Sequence, residues 1–290
     1  MSWRIVVISS SAKLDYQMGY LVVRRDVTTK IHLSEISMLM IESTAVSLTA
    51  SLLCELVKHK IKVIFCDEKR NPSSELQPYY GSHDTSIKVR KQMKWEDADR
   101  KTIWTEIVRE KIEKQAEFLE ELEKKEAAML REYITQMEYG DATNREGHAA
   151  KVYFNALFGI GFSRSEDNPR NAALNYGYSI FLSAINREIA ANGYITQIGL
   201  FHDNMFNPFN LASDLMEPWR VLIDRKVFRM RPEVFEHEQK MQVLDVLNDE
   251  VILGGKREVV NNALKIYCRS VFDAIEERDI SLIRFYKNEL

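Results

Sequence analysis

Three segments far apart in the chain each carry a side chain that divalent metals favour, set beside small or aromatic residues. REGHAAKVYFN contains Glu146, GLFHDN contains His202, and LASDLMEPWR contains Asp214 and Glu217. An imidazole with two or three carboxylates is a donor set for a hard or borderline divalent ion. Mg²⁺ and Mn²⁺ both fit, Mn²⁺ better for the nitrogen donor. The long separations mean that only folding can bring such donors together.

Each segment also has a plainer reading. Glu146 shares a helix face with Ala150 and Tyr153, yet an acidic residue in a first turn also favours the helix N-terminus without any ligand. His202 follows the apolar ITQIGLF and precedes Asp203 and Asn204; a histidine at such an edge is commonly structural, although a nearby carboxylate can fix its tautomer. Asp214 and Glu217 are three apart, so they share a helix face. Pro218 directly after Glu217 requires the helix to kink or to begin there.

Other chemistries lack their signatures. There is no HExxH and no cysteine cluster for zinc. GxGxxG and GxxxxGK[ST] are absent, so no nucleotide site is indicated. GFSRS and GYSIF do not match the GxSxG of serine hydrolases. Cations surround the three segments: Arg145 and Lys151, then Arg220, Arg225, Lys226, Arg229 and Arg231. Tyr153, Phe154, Tyr176, Tyr178 and Trp219 are read as aromatic surface among them. Cations beside a hard-metal site suit a phosphodiester substrate; the plainer reading is a solvated helix face with internal ion pairs.

The elements that must position these residues fall into two groups, an α+β arrangement. Residues 1 to about 70 read as β-rich, with strands in RIVVISS, HLSEISMLMIES and IKVIFCD. A helix is expected from Thr44, where Val46, Leu48, Leu52, Leu53, Leu56 and Val57 have helical spacing. NPSSELQPYYGSHDTS, residues 71–86, reads as a linker. Long helices follow to about Glu138. Their Glu110–Lys114, Glu120–Lys124 and Glu121–Lys125 pairs are in the favourable order, and Ile112, Ala116, Leu119, Leu122 and Ala127 form the expected buried stripe. This charge run reads as a solvated face. Further helices are expected over residues 145–158, 170–192, 209–230, 238–250 and 256–275. The expected organisation is a β-rich domain over 1–75, a linker over 76–95 and an all-α catalytic domain over 96–290.

The bulk properties are those of an ordinary globular chain: 290 residues, 45% hydrophobic and 29% charged, with a net charge of −3. That balance leaves any nucleic-acid partner to a local basic patch. Cys54, Cys66 and Cys268 form no CxxC pair, and Cys54 and Cys66 read as small hydrophobes. The odd count, with no leader recognised at the start, points to a reducing, cytoplasmic setting. No 18-residue apolar run is present, so no membrane span is expected.

Taken together, REGHAAKVYFNALFG, NAALNYGYSI, QIGLFHDNMFNPFNLASDLMEPWR, HLSEI and VIFCD resemble CRISPR-associated protein one, the integrase of CRISPR adaptation, and most closely its type II members. The resemblance runs over nearly the whole chain. It implies a small β-rich N-terminal domain, used for homodimerisation, and a larger helical catalytic domain. It implies that Glu146, His202 and Glu217 are the catalytic residues and ligands of Mg²⁺ or Mn²⁺, with Asp214 in a supporting place. It implies double-stranded DNA partners, protospacer and CRISPR repeat, and a heterohexamer with the small second adaptation protein, with other type II adaptation proteins as further partners. The expected reaction is attack of a protospacer 3′-OH on the repeat boundary. A structure-specific endonuclease and a non-catalytic DNA-binding scaffold are the alternatives.

Overall fold

A computed structural model of the chain describes residues 4–78 and 82–288. Tyr79, Tyr80 and Gly81, inside the expected linker, lie outside the described residues. The chain divides into two compact units, residues 1–80 and 81–290.

The first unit is strand-rich: β1 (Arg4–Ile8), β2 (Ala12–Gln17), β3 (Tyr20–Arg24), β4 (Thr29–His32), β5 (Ile36–Ile41), β6 (Val46–Leu48), helix α1 (Ala50–Lys58), β7 (Lys62–Cys66) and β8 (Pro72–Glu75). They form two four-stranded sheets, ordered β1-β5-β7-β8 and β4-β3-β2-β6. The β5 sequence ISMLMI is buried throughout and runs parallel to β1 and β7, as an uninterrupted apolar strand should. Leu14, Leu21, Leu39, Leu52, Leu56 and Val63 lie in one apolar cluster.

Several elements differ from the expectation. Residues 46–48 are not helical; they pair in parallel with Ala12–Leu14. Val46 and Leu48 satisfy a period of two as well as a helical one, and pairing with β2 decides between them. The helix starts after Thr49, whose Oγ1 accepts the Leu52 N–H at 3.3 Å. Strands β2 and β3 turn on Met18 and Gly19, both with positive φ (48° and 87°). Met-Gly lacks the usual Asn-Gly signature of such a turn. Within the expected linker, Pro72 begins edge strand β8, a position proline tolerates. Cys54, expected among apolar residues, is exposed.

The second unit is predominantly helical: α2 (Thr85–Gln92), α3 (Asp97–Glu121), α4 (Glu126–Thr135), α5 (Arg145–Phe158), α6 (Pro169–Ala191), α7 (Asn210–Leu215), α8 (Arg220–Met230), α9 (His237–Leu244) and α10 (Val260–Glu277). Helix α2 occupies part of the 76–95 stretch read as linker. A small sheet departs from the expected all-α make-up: β9 (Glu250–Leu253), β10 (Lys256–Val259), which takes the start of the helix expected over 256–275, and β11 (Tyr286–Lys287). Gly254 and Gly255, at φ 57° and 79°, make the two-residue β9–β10 turn, so the glycine pair joins strands.

Helix α3 carries the core, with Trp104, Ile107, Val108, Ile112, Ala116, Phe118 and Leu119 fully buried. It stops because Glu123 adopts a left-handed conformation (φ 54°) and the Lys124 N–H bonds back to Leu119 O at 2.9 Å, a helix-ending arrangement. This removes the Glu120–Lys124 and Glu121–Lys125 helix geometry; Glu120 pairs with Arg131 and Glu121 with Arg225. Leu122, expected in the stripe, is only half-buried at this end.

Helix α6 starts at Asn168, whose side chain accepts the Asn171 N–H at 2.8 Å, with Pro169 in the first turn, a favoured pair of starting residues. It passes closely against its neighbours at Gly177. A Cβ there would meet the Ile223 side chain and come within 3.0 Å of Val243 Cγ1. Gly177→Val is therefore expected to destabilise the unit by about 3 kcal/mol through overpacking. Thermal melting checks this; a midpoint within about 2 °C of the parent contradicts the close approach. Among the described residues no helix is long and apolar enough to cross a membrane.

Candidate active site

Helix α5 places Glu146 in its first turn. Two carboxyl and amide side chains hold that turn: Asp141 accepts the N–H groups of Arg145 and Glu146 at 2.7 and 3.1 Å, and Asn144 accepts that of Gly147 at 3.2 Å. They satisfy N–H groups that a helix start leaves open. Glu146 is thus held from its own backbone.

His202 lies in the segment between α6 and α7. Asp214, fully buried on α7, anchors this segment. Its Oδ2 accepts the N–H groups of Leu200 (2.6 Å) and Phe201 (3.1 Å). Its Oδ1 accepts that of His202 (3.2 Å) and lies 2.6 Å from His202 Nδ1. Gly199 makes this possible, because a Cβ there would fall 2.6 Å from Asp214 Oδ2. The hydrogen bond to Asp214 raises the His202 pKa above its usual value and commits Nδ1, so Nε2 is the ring nitrogen left for a ligand. Trp104 and Phe201 stack with ring centres 4.7 Å apart, and Trp104 meets the His202 ring edge-on at 5.8 Å.

Glu217 lies just beyond α7, in a tight 3₁₀ turn with Pro218 and Trp219 that leads into α8. Proline costs little in such an opening turn, where its missing N–H has no helical partner. One Glu217 oxygen meets Lys111 Nζ and the other lies 2.9 Å from the Arg220 guanidinium. Lys111 also bonds Glu146, so one ammonium bridges the two carboxylates. Burial alone would raise the Glu217 carboxyl, but Arg220 and Lys111 outweigh it and pull it down to about 2. Burial likewise works against the Lys111 ammonium, and Glu217 and Glu146 hold it above its usual value.

These side chains line one cleft of about 300 Å³, with Gln115, Phe154, Arg164, Tyr178 and Asp224 completing its walls. Tyr178 donates its hydroxyl hydrogen bond to Asp224, whose carboxyl burial pushes up to about 6. Arg164 is aimed by Asn171 and Asn175, each at 2.6 Å, and lies over the Tyr178 ring. Arg220 lies over the same ring, 4.7 Å from its centre.

The structure therefore brings Glu146, His202 and Glu217 to one cleft and puts Asp214 behind His202. Among the described residues, no group of three or more His, Cys, Asp or Glu is clustered tightly enough to hold a metal ion as the side chains stand; the Lys111 ammonium lies between the two carboxylates. The donor chemistry still suits a hard divalent ion. Glu217 is kept ionised, Glu146 faces the same ammonium, and the histidine has one nitrogen fixed by Asp214 and a second for a ligand.

The surrounding basic run divides. Arg220 belongs to the cleft, whereas Arg225 pairs with Glu121 and Lys226 with Asp249. Tyr153, Tyr176 and Trp219, read as surface, are buried. Lys111, Gln115, Arg164 and Asp224 were not singled out from the sequence. For the first two a signal existed: Trp104, Val108, Lys111, Gln115 and Phe118 follow alternating four- and three-residue steps, so two polar residues sit in a core stripe.

A family model described as CRISPR associated protein Cas1 matches residues 5–245. The CRISPR-associated endonuclease Cas1 of Neisseria meningitidis serogroup C (strain 8013) is 36% identical over 232 residues, covering 79% of this chain and 76% of that protein. The chain belongs to the Cas1 family of CRISPR-associated proteins. Among solved structures, a casposase bound to integration product matches with a TM-score of 0.79 at 17% identity, over 98% of this chain and 93% of the other. A Cas6-RT-Cas1–Cas2 complex matches with a TM-score of 0.74 at 18% identity, over 99% of this chain but only 36% of the other. At these identities the structural likeness concerns the fold.

Proposed function

We propose that the protein is a CRISPR adaptation integrase that joins the 3′-OH of a short duplex protospacer to the boundary of a CRISPR repeat. The observation that carries this reading is the convergence of Glu146, His202 and Glu217 on a cleft also lined by Lys111, Arg164 and Arg220. Family membership and the fold shared with a casposase support it.

In this reading Glu146, His202 and Glu217 hold a divalent ion, Mg²⁺ or Mn²⁺. When bound, such an ion polarises a phosphodiester and favours an ionised hydroxyl. The chain's own residues do the rest. Asp214 holds the His202 ring in the tautomer whose Nε2 is available. Arg220 and Lys111 keep Glu217 ionised. Arg164, braced by two asparagines and an aromatic ring, offers its guanidinium to a phosphate oxygen. Exchange of one phosphodiester for another needs no external energy source, in keeping with the absent nucleotide motif.

The partners in this reading are double-stranded DNA, a second copy of this chain, and a small second adaptation protein in a heterohexamer. A solved complex whose name includes both Cas1 and Cas2 supports the last. The setting is the cytoplasm.

A second reading, hydrolytic endonuclease activity at the same cleft, is favoured by the name of the Neisseria relative. Incubating the protein with repeat DNA, labelled protospacer, its small partner and Mn²⁺ separates the two. Joined, longer strands are expected. Shortened strands alone would replace integration with hydrolysis, and no change in either strand would sink both.

A further inference from the structure

The position of Lys111 leads beyond the donor set, on the assumption that the cleft holds a divalent ion. Its side chain is only 8% exposed, and its single ammonium contacts both Glu146 and Glu217. Glu217 has a second cation in Arg220, at 2.9 Å; for Glu146 the bridging ammonium is the cation that neutralises it within the cleft. An ammonium and a divalent ion cannot both stand against the same two oxygens, because like charges a few ångströms apart in a poorly solvated cleft repel strongly. A divalent ion that takes these two oxygens must therefore move Lys111 aside.

Gln115 gives the ammonium somewhere to go. It lies four residues along α3, one helical turn from Lys111 on the same stripe, and lines the same cleft. It is 2% exposed, and its Oε1 is buried with no hydrogen-bond partner among the described residues. Buried acceptors in native proteins are rarely left unpaired, and one that is calls for a reason. An amide oxygen one turn away is a suitable acceptor for a displaced ammonium. It would retain that positive charge in the cleft, beside Arg164 and Arg220.

We infer that Lys111 is a displaceable counter-ion: it competes with the divalent ion for Glu146 and Glu217, and on displacement it docks on Gln115 Oε1 as a cation for the substrate phosphate. Lys111 thereby sets the metal affinity of the site and couples metal entry to readiness for an anionic substrate.

The test measures Mn²⁺ binding to the full chain without DNA, by the electron paramagnetic resonance signal of free Mn²⁺. Lys111→Met leaves two carboxylates without their shared competitor, so its Mn²⁺ dissociation constant should fall by roughly tenfold or more. Its melting temperature without metal should drop, and saturating Mn²⁺ should raise it by more than in the parent. An affinity equal to or weaker than the parent's overturns the inference. Gln115→Leu provides an independent arm should Lys111→Met fail to fold. It removes the docking acceptor, so Mn²⁺ should bind several-fold more weakly, roughly the effect of one lost charge-assisted hydrogen bond. Unchanged affinity in that variant also overturns the inference. Should the parent and both variants all fail to bind Mn²⁺, the divalent-ion reading itself falls, and the inference with it.

Discussion

Glu217→Gln should abolish strand joining while leaving a folded protein. Glutamine keeps the shape of glutamate but not its charge, and Glu217 is built more tightly into the cleft than Glu146, touching both Lys111 and Arg220. A loss of at least roughly a thousandfold in joining is expected from removing a proposed metal ligand and its charge together. The variant also carries an acid signature. In the folded protein the Glu217 carboxyl sits at about 2, against an ordinary value of 4.5. A depressed value means that its stabilisation is fully present above pH 4.5 and is lost as pH falls toward 2. The shift corresponds to something on the order of 3 kcal/mol. Glu217→Gln should remove this part of the acid limb, giving a lower melting point at pH 7 and a flatter decline below pH 4.5. A gel assay for joined strands and circular dichroism melts across pH follow the two effects. Retained joining would rule out Glu217 as a ligand, and an unchanged acid limb would rule out the buried pairing.

The second large effect belongs to Asp214, which braces His202 from behind and does not line the cleft. Its carboxylate accepts three successive backbone N–H groups and partners His202 Nδ1. Asp214→Ala strands all of them in a buried place. At about 1–3 kcal/mol for each unsatisfied buried group, partly relieved by entering water, a destabilisation of about 4 kcal/mol is expected. His202 would lose the hydrogen bond that raises its pKa, so its ring should titrate at a lower pH in the variant, as followed by NMR. Joining should fall with it, because the imidazole is no longer aimed. A variant that melts with the parent and shows an unshifted His202 titration would contradict this anchoring role.

The sequence made some elements plain and hid others, for identifiable reasons. Helix α5 was legible to the residue because Asn144 and Gly159 bound a clear pattern. The first unit's β2–β4 meander was not, because its short strands alternate with charged residues and its turn uses Met-Gly. The glycine pair at 254–255 announced a break but not that strands flanked it. In the cleft, Glu146, His202 and Glu217 stood out because carboxylates and imidazoles beside small or aromatic residues attract notice. Lys111 did not, because it sits in a run of Glu and Lys where composition suggests a solvated face. Only the inward register of α3 distinguishes it from its neighbours. The same limit applies to the cations after Glu217: Arg220 enters the cleft, whereas Arg225 and Lys226 are taken up by Glu121 and Asp249.

The turn from α7 through Pro218 into α8 has a bearing on how the gene can vary. Asp214 and Glu217 are three residues apart, and only from Glu217 does the chain tighten into a 3₁₀ turn, with the Trp219 N–H bonded to Met216 O at 2.9 Å. Asp214 is in the last turn of α7 and Glu217 follows directly after it; residues three apart on a helix lie on one face, which lets one carboxylate brace His202 while the next lines the cleft beside it. Inserting or deleting one codon between them would swing Glu217 by roughly 100° about the axis, burying it in the core or carrying it away from Lys111. The interval is thus a length constraint. Exchanges at Leu215 or Met216 can be absorbed by repacking, while a change in their number cannot.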